Sequence, residues 1–290
     1  MTLLQLLVNG MALGAAYALV ALGFVLVLNA TGAVNFAHGD LVMAGGLLAV
    51  ALADRLPVPG IVLLPAVLAL MAGLGLVVSL AAYLPLHRRP PVAVFISTIA
   101  VGIILQNGAA VLFGPEPRAA PPLFAGGVIE VAGLVLARQS LAVVAVAALL
   151  IAGQQALFHG TQLGRRLRAT AQDPEMARAL GIPVTRMILL TFALGSAFAG
   201  AAGLLLANQF FVTPTEGGNL ILKAYIAVTI GGWGSVPGAV VGALLIALFE
   251  VGVSSAVSYP VAAGLLYATL LALLVWRPQG LFGEAARRRA

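Results

Sequence analysis

Long apolar runs, separated by short polar or glycine-containing stretches, occupy most of the chain. They fall at 5–28, 40–53, 58–84, 92–113, 139–159, 184–207, 219–232, 236–255 and 260–276. A helix needs about 20 apolar residues to cross a bilayer. The runs show little of the alternation of a strand, which argues helices and not a β-barrel. Two runs, 40–53 and 219–232, are short for a full crossing. Each lies beside a glycine-containing break, near 29–39 and 231–236, and is expected to be a broken or re-entrant helix. The pattern predicts an all-α integral membrane protein. Residues 1–290 form one transmembrane domain, a polytopic helical bundle of eight or nine spans. Residues 5–53 read long run, break, short run, and residues 219–255 read short run, break, long run. Transporters built from internal repeats show such echoes, and two breaks in a glycine-rich chain also arise by chance.

Composition removes the soluble alternatives. The chain is 62% hydrophobic and 8% charged, against about 25% charged in soluble domains. The 34 glycines suit helices whose backbones approach closely in lipid. The net charge of +6 does not point to nucleic acid, because the arginines sit in short loops between spans. With no cysteine, neither disulfides nor thiolate chemistry is available. The N-terminal "MTLLQLLVNGMALG" lacks a basic n-region, so the first run is expected to be a retained span.

Charge then orients the bundle. Eleven of the 15 lysines and arginines lie in three regions: Arg88 and Arg89 beside His87; Arg165, Arg166, Arg168, Arg178 and Arg186; and Arg277 with Arg287, Arg288 and Arg289. Nine crossings put these regions on one side, and the positive-inside rule makes that side cytoplasmic. The N-terminus is then outside and the C-terminus inside. Residues 164–184 form a cytoplasmic loop, 277–290 a cytoplasmic tail and 114–139 the longest outer loop, its first half irregular by its proline and glycine content. Arg55, Arg118, Arg138 and Lys223 fall on the outer side.

The loop "GRRLRATAQDPEMARALGIPV" carries a short helix over 174–180. Asp173 is a good N-cap and Pro174 suits the first helical position. Glu175 and Arg178 complement the helix dipole, and Gly181 is a stop signal with Pro183 beyond it. Met176, Ala177 and Leu180 are expected to share one face. A helix this short needs a surface to lie on. It either rests on lipid headgroups as part of an ordinary basic loop, or docks on a cytoplasmic partner.

"GRRLRATAQDPEMARALGI" resembles the coupling loop of branched-chain amino-acid ABC transporter permeases. "GAVNFAHGDLVMAGG" resembles the N-terminal signature of their H-type subunit, and "GGWGSVPGAVVGALLIALFE" is similar to their glycine-rich C-terminal segment. The three motifs lie in the family's order, and the resemblance covers nearly the whole chain. The companion M-type subunit would carry an "LSLGHAAF"-like pattern where this chain has "VNFAHGDL". The resemblance implies a multi-pass permease of the bacterial inner membrane. It makes Asp173 to Gly181 the coupling helix, resting in a groove of an ATPase subunit. It further implies a second permease subunit, two ATP-binding subunits and an extracytoplasmic solute-binding protein, with cargo among branched-chain or related amino acids moved by alternating access. ATP would be bound by the partners, and no cofactor belongs to this chain. The residues agree independently: a P-loop needs a lysine after glycine, followed by Ser or Thr, and the only lysine, Lys223, stands in "LKA".

Against this background "GAVNFAHGD", 32–40, offers Asn35, His38 and Asp40 between two apolar runs. Gly32 can end the first span and Asn35 can cap the next helix. The stretch is either a polar turn at the inner interface or a lining of the translocation path. Discontinuous helices use their N-termini to hold carboxylates at membrane depth. Asp40 must face water, a partner or the bundle interior, and His38 is a possible partner. One His and one Asp are too few ligands for a metal. Gln106 and Asn107 are expected to join helices or line a pore. Glu250 is placed at the outer interface or, if deeper, in the pathway. Glu216 and Lys223 read as a surface ion pair or a binding-protein contact, and Tyr17 as packing.

An ion-coupled secondary transporter of small polar solutes is the competing function, weakened because the carboxylates cluster near predicted interfaces. No HExxH, GxSxG or cysteine suggests an intramembrane enzyme, and no symmetry-related polar rings suggest a channel.

Overall fold

A computed structural model describes residues 3–124, 126–131, 134–276 and 280. The tail expected over 277–290 lies outside the described residues apart from Gly280. Eleven α-helices account for nearly all the described structure: α1 (Leu3–Thr31), α2 (His38–Arg55), α3 (Gly60–Val78), α4 (Pro91–Phe113), α5 (Arg138–Gly160), α6 (Gln162–Gln172), α7 (Pro174–Ala179), α8 (Val184–Gln209), α9 (Gly217–Gly231), α10 (Val236–Ala256) and α11 (Tyr259–Trp276). A π-helical turn, Ser79–Tyr83, extends α3. Among the described residues, seven helices are long and apolar enough to cross a membrane. The two short members expected from the sequence are α2 and α9.

The bundle is built around α1 and α8. α1 packs against α10, α8, α5 and α9, and α8 also packs against α2 and α3. Their side chains are mostly buried. α4 and α11 lie at the periphery and expose Ile104, Val111, Leu271 and Val275. An exposed apolar face is unfavourable in water and suits lipid or a neighbouring membrane subunit.

Small residues set the close crossing of α2 and α8. A Cβ added at Gly45 of α2 would fall against the Cα of Gly200, and one at Gly203 of α8 against the Val42 carbonyl oxygen. Only glycine lets the two backbones touch here. In lipid, where apolar side chains gain nothing by leaving the solvent, such van der Waals contact between helices is a main attractive force.

The first break turns at exposed Gly32 and folds the chain back into the bundle. α1 ends at Thr31, and Gly32 adopts φ +65° to reverse the chain. α2 then starts at His38, whose Nε2 lies 3.0 Å from the Val20 carbonyl oxygen. Val20 precedes the end of α1 by eleven residues, about 16 Å of helix. The segment between the two helices is therefore re-entrant. α9, with 15 residues, extends about 22 Å, short of the roughly 30 Å hydrocarbon layer. Its first residue, Gly217, abuts Asp40 in the first turn of α2. Two short helices thus begin at one place inside the bundle. The second expected break is the turn between α9 and α10, which Asn29 ties to the end of α1 by donating to the Gly234 carbonyl at 2.9 Å.

The two ends of the bundle are distinct. At one end, Arg118 and Val212 form an antiparallel bridge, the Asn208 amide donates to the Pro121 carbonyl, and Gly60 N donates to the Pro122 carbonyl. There the first half of the 114–139 loop is irregular, as expected. Its second half is a hairpin of β1 (Val128–Val131) and β2 (Leu134–Ala137). At the other end, α5 runs into α6 and α7. The sequence reading leaves 164–172 as loop, whereas these residues belong to α6. Thr161 caps α6 by accepting from Gly164 N at 3.0 Å. Leu167 and Thr170 turn inward, while Arg165 and Arg166 lie on the exposed face. The arginines dominate the segment's polarity and hide that apolar stripe.

Candidate functional site

Three groups of residues draw on different elements of this scaffold. The first is the start of α2. Asn35, His38 and Asp40 are 4%, 0% and 5% exposed, so the polar side chains of this stretch are interior although the turn at Gly32 is exposed. Asn35 Oδ1 accepts from Ala37 N at 3.1 Å and satisfies one donor of the helix start. His38 donates from Nε2 to the Val20 carbonyl at 3.0 Å, which assigns the Nε2–H tautomer. Its ring meets Phe24 edge-on. Asn35 Nδ2 and His38 Nδ1 are buried with no hydrogen-bond partner among the described residues.

Asp40 does not pair with His38. Its Oδ1 accepts from Gln106 Nε2 at 2.8 Å. Gly102 of α4 and Gly217 of α9 leave the carboxylate its space. The carboxylate also sits at the N-terminal ends of both α2 and α9, where the helix dipoles are positive. A charge at the bilayer centre costs about 2.5–3.5 kcal/mol on insertion scales. A hydrogen bond to a charged group contributes about 1.5–3 kcal/mol, and a helix terminus about 0.3–1 kcal/mol or more when partly buried. The sums are comparable, so the site accommodates a carboxylate. Gln106→Leu keeps the volume and removes the donor. A loss of about 1–3 kcal/mol is expected, measurable as a lowered Tm of the purified protein, while an unchanged Tm would show that Gln106 does not carry Asp40. Asn107, one residue on, donates to the Ile103 carbonyl of its own helix and is exposed.

The second group was scattered in the sequence. Lys223 is buried and does not form a surface pair with Glu216. Its Nζ lies 2.7 Å from Glu250 Oε1 and donates to the Tyr17 hydroxyl at 2.6 Å and the Tyr259 hydroxyl at 3.3 Å. Tyr17 OH donates in turn to Glu250 Oε2 at 3.3 Å. Glu250 is therefore interior, the deeper of the two placements the sequence allows. Glu216 instead accepts from Asn219. The pair lines a cavity of about 410 Å³, whose walls also include Leu13, Val42, Met43, Leu206, Phe210 and Leu220. Tyr17, read from the sequence as packing, is a functional candidate that the sequence reading missed. The available signal was a lone lysine and a glutamate inside apolar runs; their convergence over 27 and 206 residues of chain separation was not readable.

The third group is α7. Asp173 Oδ1 accepts from Glu175 N at 3.0 Å and Met176 N at 2.9 Å, as an N-cap should. At the far end Gly181 has φ +78°, with Gly181 N donating to the Arg178 carbonyl and Ile182 N to the Ala177 carbonyl. This is the Schellman arrangement. The expected shared face divides: Ala177 is 2% exposed and packs inward, while Met176 and Leu180 are 59% and 72% exposed. Pro174, Glu175 and Arg178 hold the helix in the roles their positions suggested. Beside α6, at the same end of the bundle, lies a second cavity of about 750 Å³, lined in part by Leu26, Asn29, Gln154, Arg168 and Ser235.

The two cavities reach into the bundle from opposite ends. The first touches α1 at Leu13 and Tyr17, the second at Leu26, Asn29 and Ala30. Between them α1 contributes Leu19, Leu22 and Phe24, all buried. Tyr17 and Leu26 are nine residues apart, about 13 Å of helix. A packed plug of that thickness separates an apolar cavity with a charged end from a more polar one.

Comparison with known proteins places this arrangement. The family described as "Branched-chain amino acid transport system / permease component" matches residues 6–275. The chain is 31% identical over 294 residues to the high-affinity branched-chain amino acid transport system permease protein BraD of Pseudomonas aeruginosa, covering 97% of this chain and 96% of that one. It is 32% identical over 295 residues to the corresponding permease protein LivH of Escherichia coli, again over 97% and 96% of the two chains. A shorter match, 34% identical over 122 residues, covering 41% of this chain and 28% of the other, is to the permease protein LivM of Salmonella typhimurium. The chain belongs to the family of permease components of branched-chain amino acid transport systems.

Proposed function

We propose that this chain is one membrane-spanning subunit of an ATP-driven importer, working beside a second, M-type permease chain. Two ATPase subunits supply the energy through α7, and a solute-binding protein delivers branched-chain or related amino acids to the opposite end. The observation that carries the reading is the pair of cavities separated by the α1 plug. A permease that alternates access needs a site that opens to one side at a time, and a thin barrier between two cavities is such an arrangement. α7 supports the direction of energy input: it is a short helix rigidly capped at both ends, with two apolar side chains turned away from the bundle. By the distribution of arginines, the α6–α7 end is cytoplasmic.

The sequence argument against ion coupling does not hold, because Asp40 and Glu250 are both interior. Family membership favours the permease reading. The test is isolation of the tagged chain from its native membrane in mild detergent, with partners identified and counted by mass spectrometry. A second permease chain and two ATPase chains are expected. Recovery of this chain alone, in detergent that preserves other such complexes, would overturn the proposal.

A further inference from the structure

The buried Lys223–Glu250 pair contributes little obvious stability. Withdrawing two charges from water costs several kcal/mol per ion, and their attraction compensates only when every donor and acceptor is served. Here the network is nearly complete: the three N–H bonds of Lys223 go to Glu250, Tyr17 and Tyr259. Apolar side chains would fill the same space at no such cost. Ionisable groups held inside a membrane protein mark pathways and binding sites. The pair also does not lie in a sealed core. It lines a cavity of about 410 Å³ whose other walls are mostly aliphatic and aromatic, with Glu216 and Ser254 among them.

That combination has a chemical complement. One cation and one anion, 2.7 Å apart, match a molecule that carries both charges on groups attached to one carbon. The apolar walls match a hydrocarbon substituent on the same molecule. We infer that Lys223, Glu250 and Tyr17 bind the charged head of a zwitterionic α-amino acid, with the cavity taking its apolar side chain. Glu250 accepts from the α-ammonium and Lys223 donates to the α-carboxylate. The substrate thereby replaces each residue's present partner with one of the same charge, and no ion is left unpaired as the pair opens. The Tyr17 hydroxyl, bonded to both residues now, stays available to either half of the head group. A molecule with one charge would leave Lys223 or Glu250 buried and unserved, which is how the site rejects amines and simple acids. This inference assigns the residues that hold the substrate of the importer proposed above and rests on that reading.

The test uses the complex isolated with its partner subunits. Lys223→Met, Glu250→Gln and the double variant K223M/E250Q are measured for L-leucine uptake in proteoliposomes, with co-purification of the partners as the control for assembly. Each is expected to lose more than about tenfold in uptake, since each removes a direct contact to a desolvated charge. Wild-type uptake by the double variant would show that the pair is only structural and overturn the inference. A second measurement needs no variant. Tritiated L-leucine is bound to the wild-type complex in the absence of the solute-binding protein, and L-valine, isocaproate and isopentylamine are added as competitors. Displacement by L-valine alone is expected. Equal displacement by either singly charged analogue, or no leucine binding, would overturn the inference. Failure of the importer reading has a different signature, in which the chain purifies without ATPase subunits.

Discussion

Leu180→Asp is expected to leave the protein at wild-type level in the membrane and to reduce uptake by about a hundredfold, or about 2.7 kcal/mol. Leu180 closes α7 with its side chain 72% exposed. A polar replacement at such a position changes folding stability by only about 0.5 kcal/mol. The fold therefore supplies no reason for loss, and any loss reports on a partner. An aspartate there would carry a charge into the apolar contact expected of Met176 and Leu180. It would also place negative charge at the negative end of a short helix. Truncating or charging a central apolar anchor of an interface costs about 2 kcal/mol or more. Membrane abundance by immunoblot and uptake of labelled leucine are the two readings needed. Normal uptake with normal abundance would remove α7 from the path of energy transfer.

Gly203→Leu should fail earlier, at folding. The added Cβ would meet the Val42 carbonyl oxygen, Gly46 N and Gly45 C, all backbone atoms of α2. A side chain in the way can rotate; a helix backbone must move as a whole. Overpacking costs about 1–3 kcal/mol where neighbours can adjust, and this site lies at or beyond the upper limit. Separating α2 from α8 would also displace His38 and Asp40 from their partners. Gly73→Leu on α3 is the control, because a Cβ there meets nothing within 4 Å. A large fall in the monodisperse fraction after solubilisation is expected for Gly203→Leu and not for Gly73→Leu. Equal recovery would mean that the α2–α8 crossing is not as close as described.

The sequence disclosed α7 with its caps because such signals are local. A cap is a side chain bonding to a backbone group two or three residues away, so Asp173, Pro174 and Gly181 could be read in place. The same locality explains the two short helices, written as short runs beside glycine breaks. α6 escaped because five arginines in and around it weigh more in a polarity reading than the stripe of Leu167 and Thr170. The hairpin after Gly127 escaped in a loop whose first half is rich in proline and glycine.

The candidate site divides along the same line. Asn35, His38 and Asp40 were visible as polar residues in an apolar chain, but their depth was not. Whether these side chains sit at the surface or halfway along α1 depends on how far residues 32–37 fold back, and no local rule states that distance. His38 pairing with Val20, and Asp40 with Gln106, follow from which helices lie beside that turn. Lys223 reads as outer-side because a lysine within a short apolar run satisfies the topology rule equally well there.

By itself, then, the sequence determined what depends on composition and short-range spacing. It specified a helical membrane bundle with two interrupted helices, a short helix capped at both ends and resemblance to a permease family. Only the tertiary structure decided which buried charges meet, that Tyr17 joins them, and that two cavities approach each other across one stretch of α1. The physical reason is that helix formation and capping are settled within a few residues. The partner of a buried ion is settled by the packing of whole helices, and the glycines that permit that packing carry no mark of which backbone they will touch.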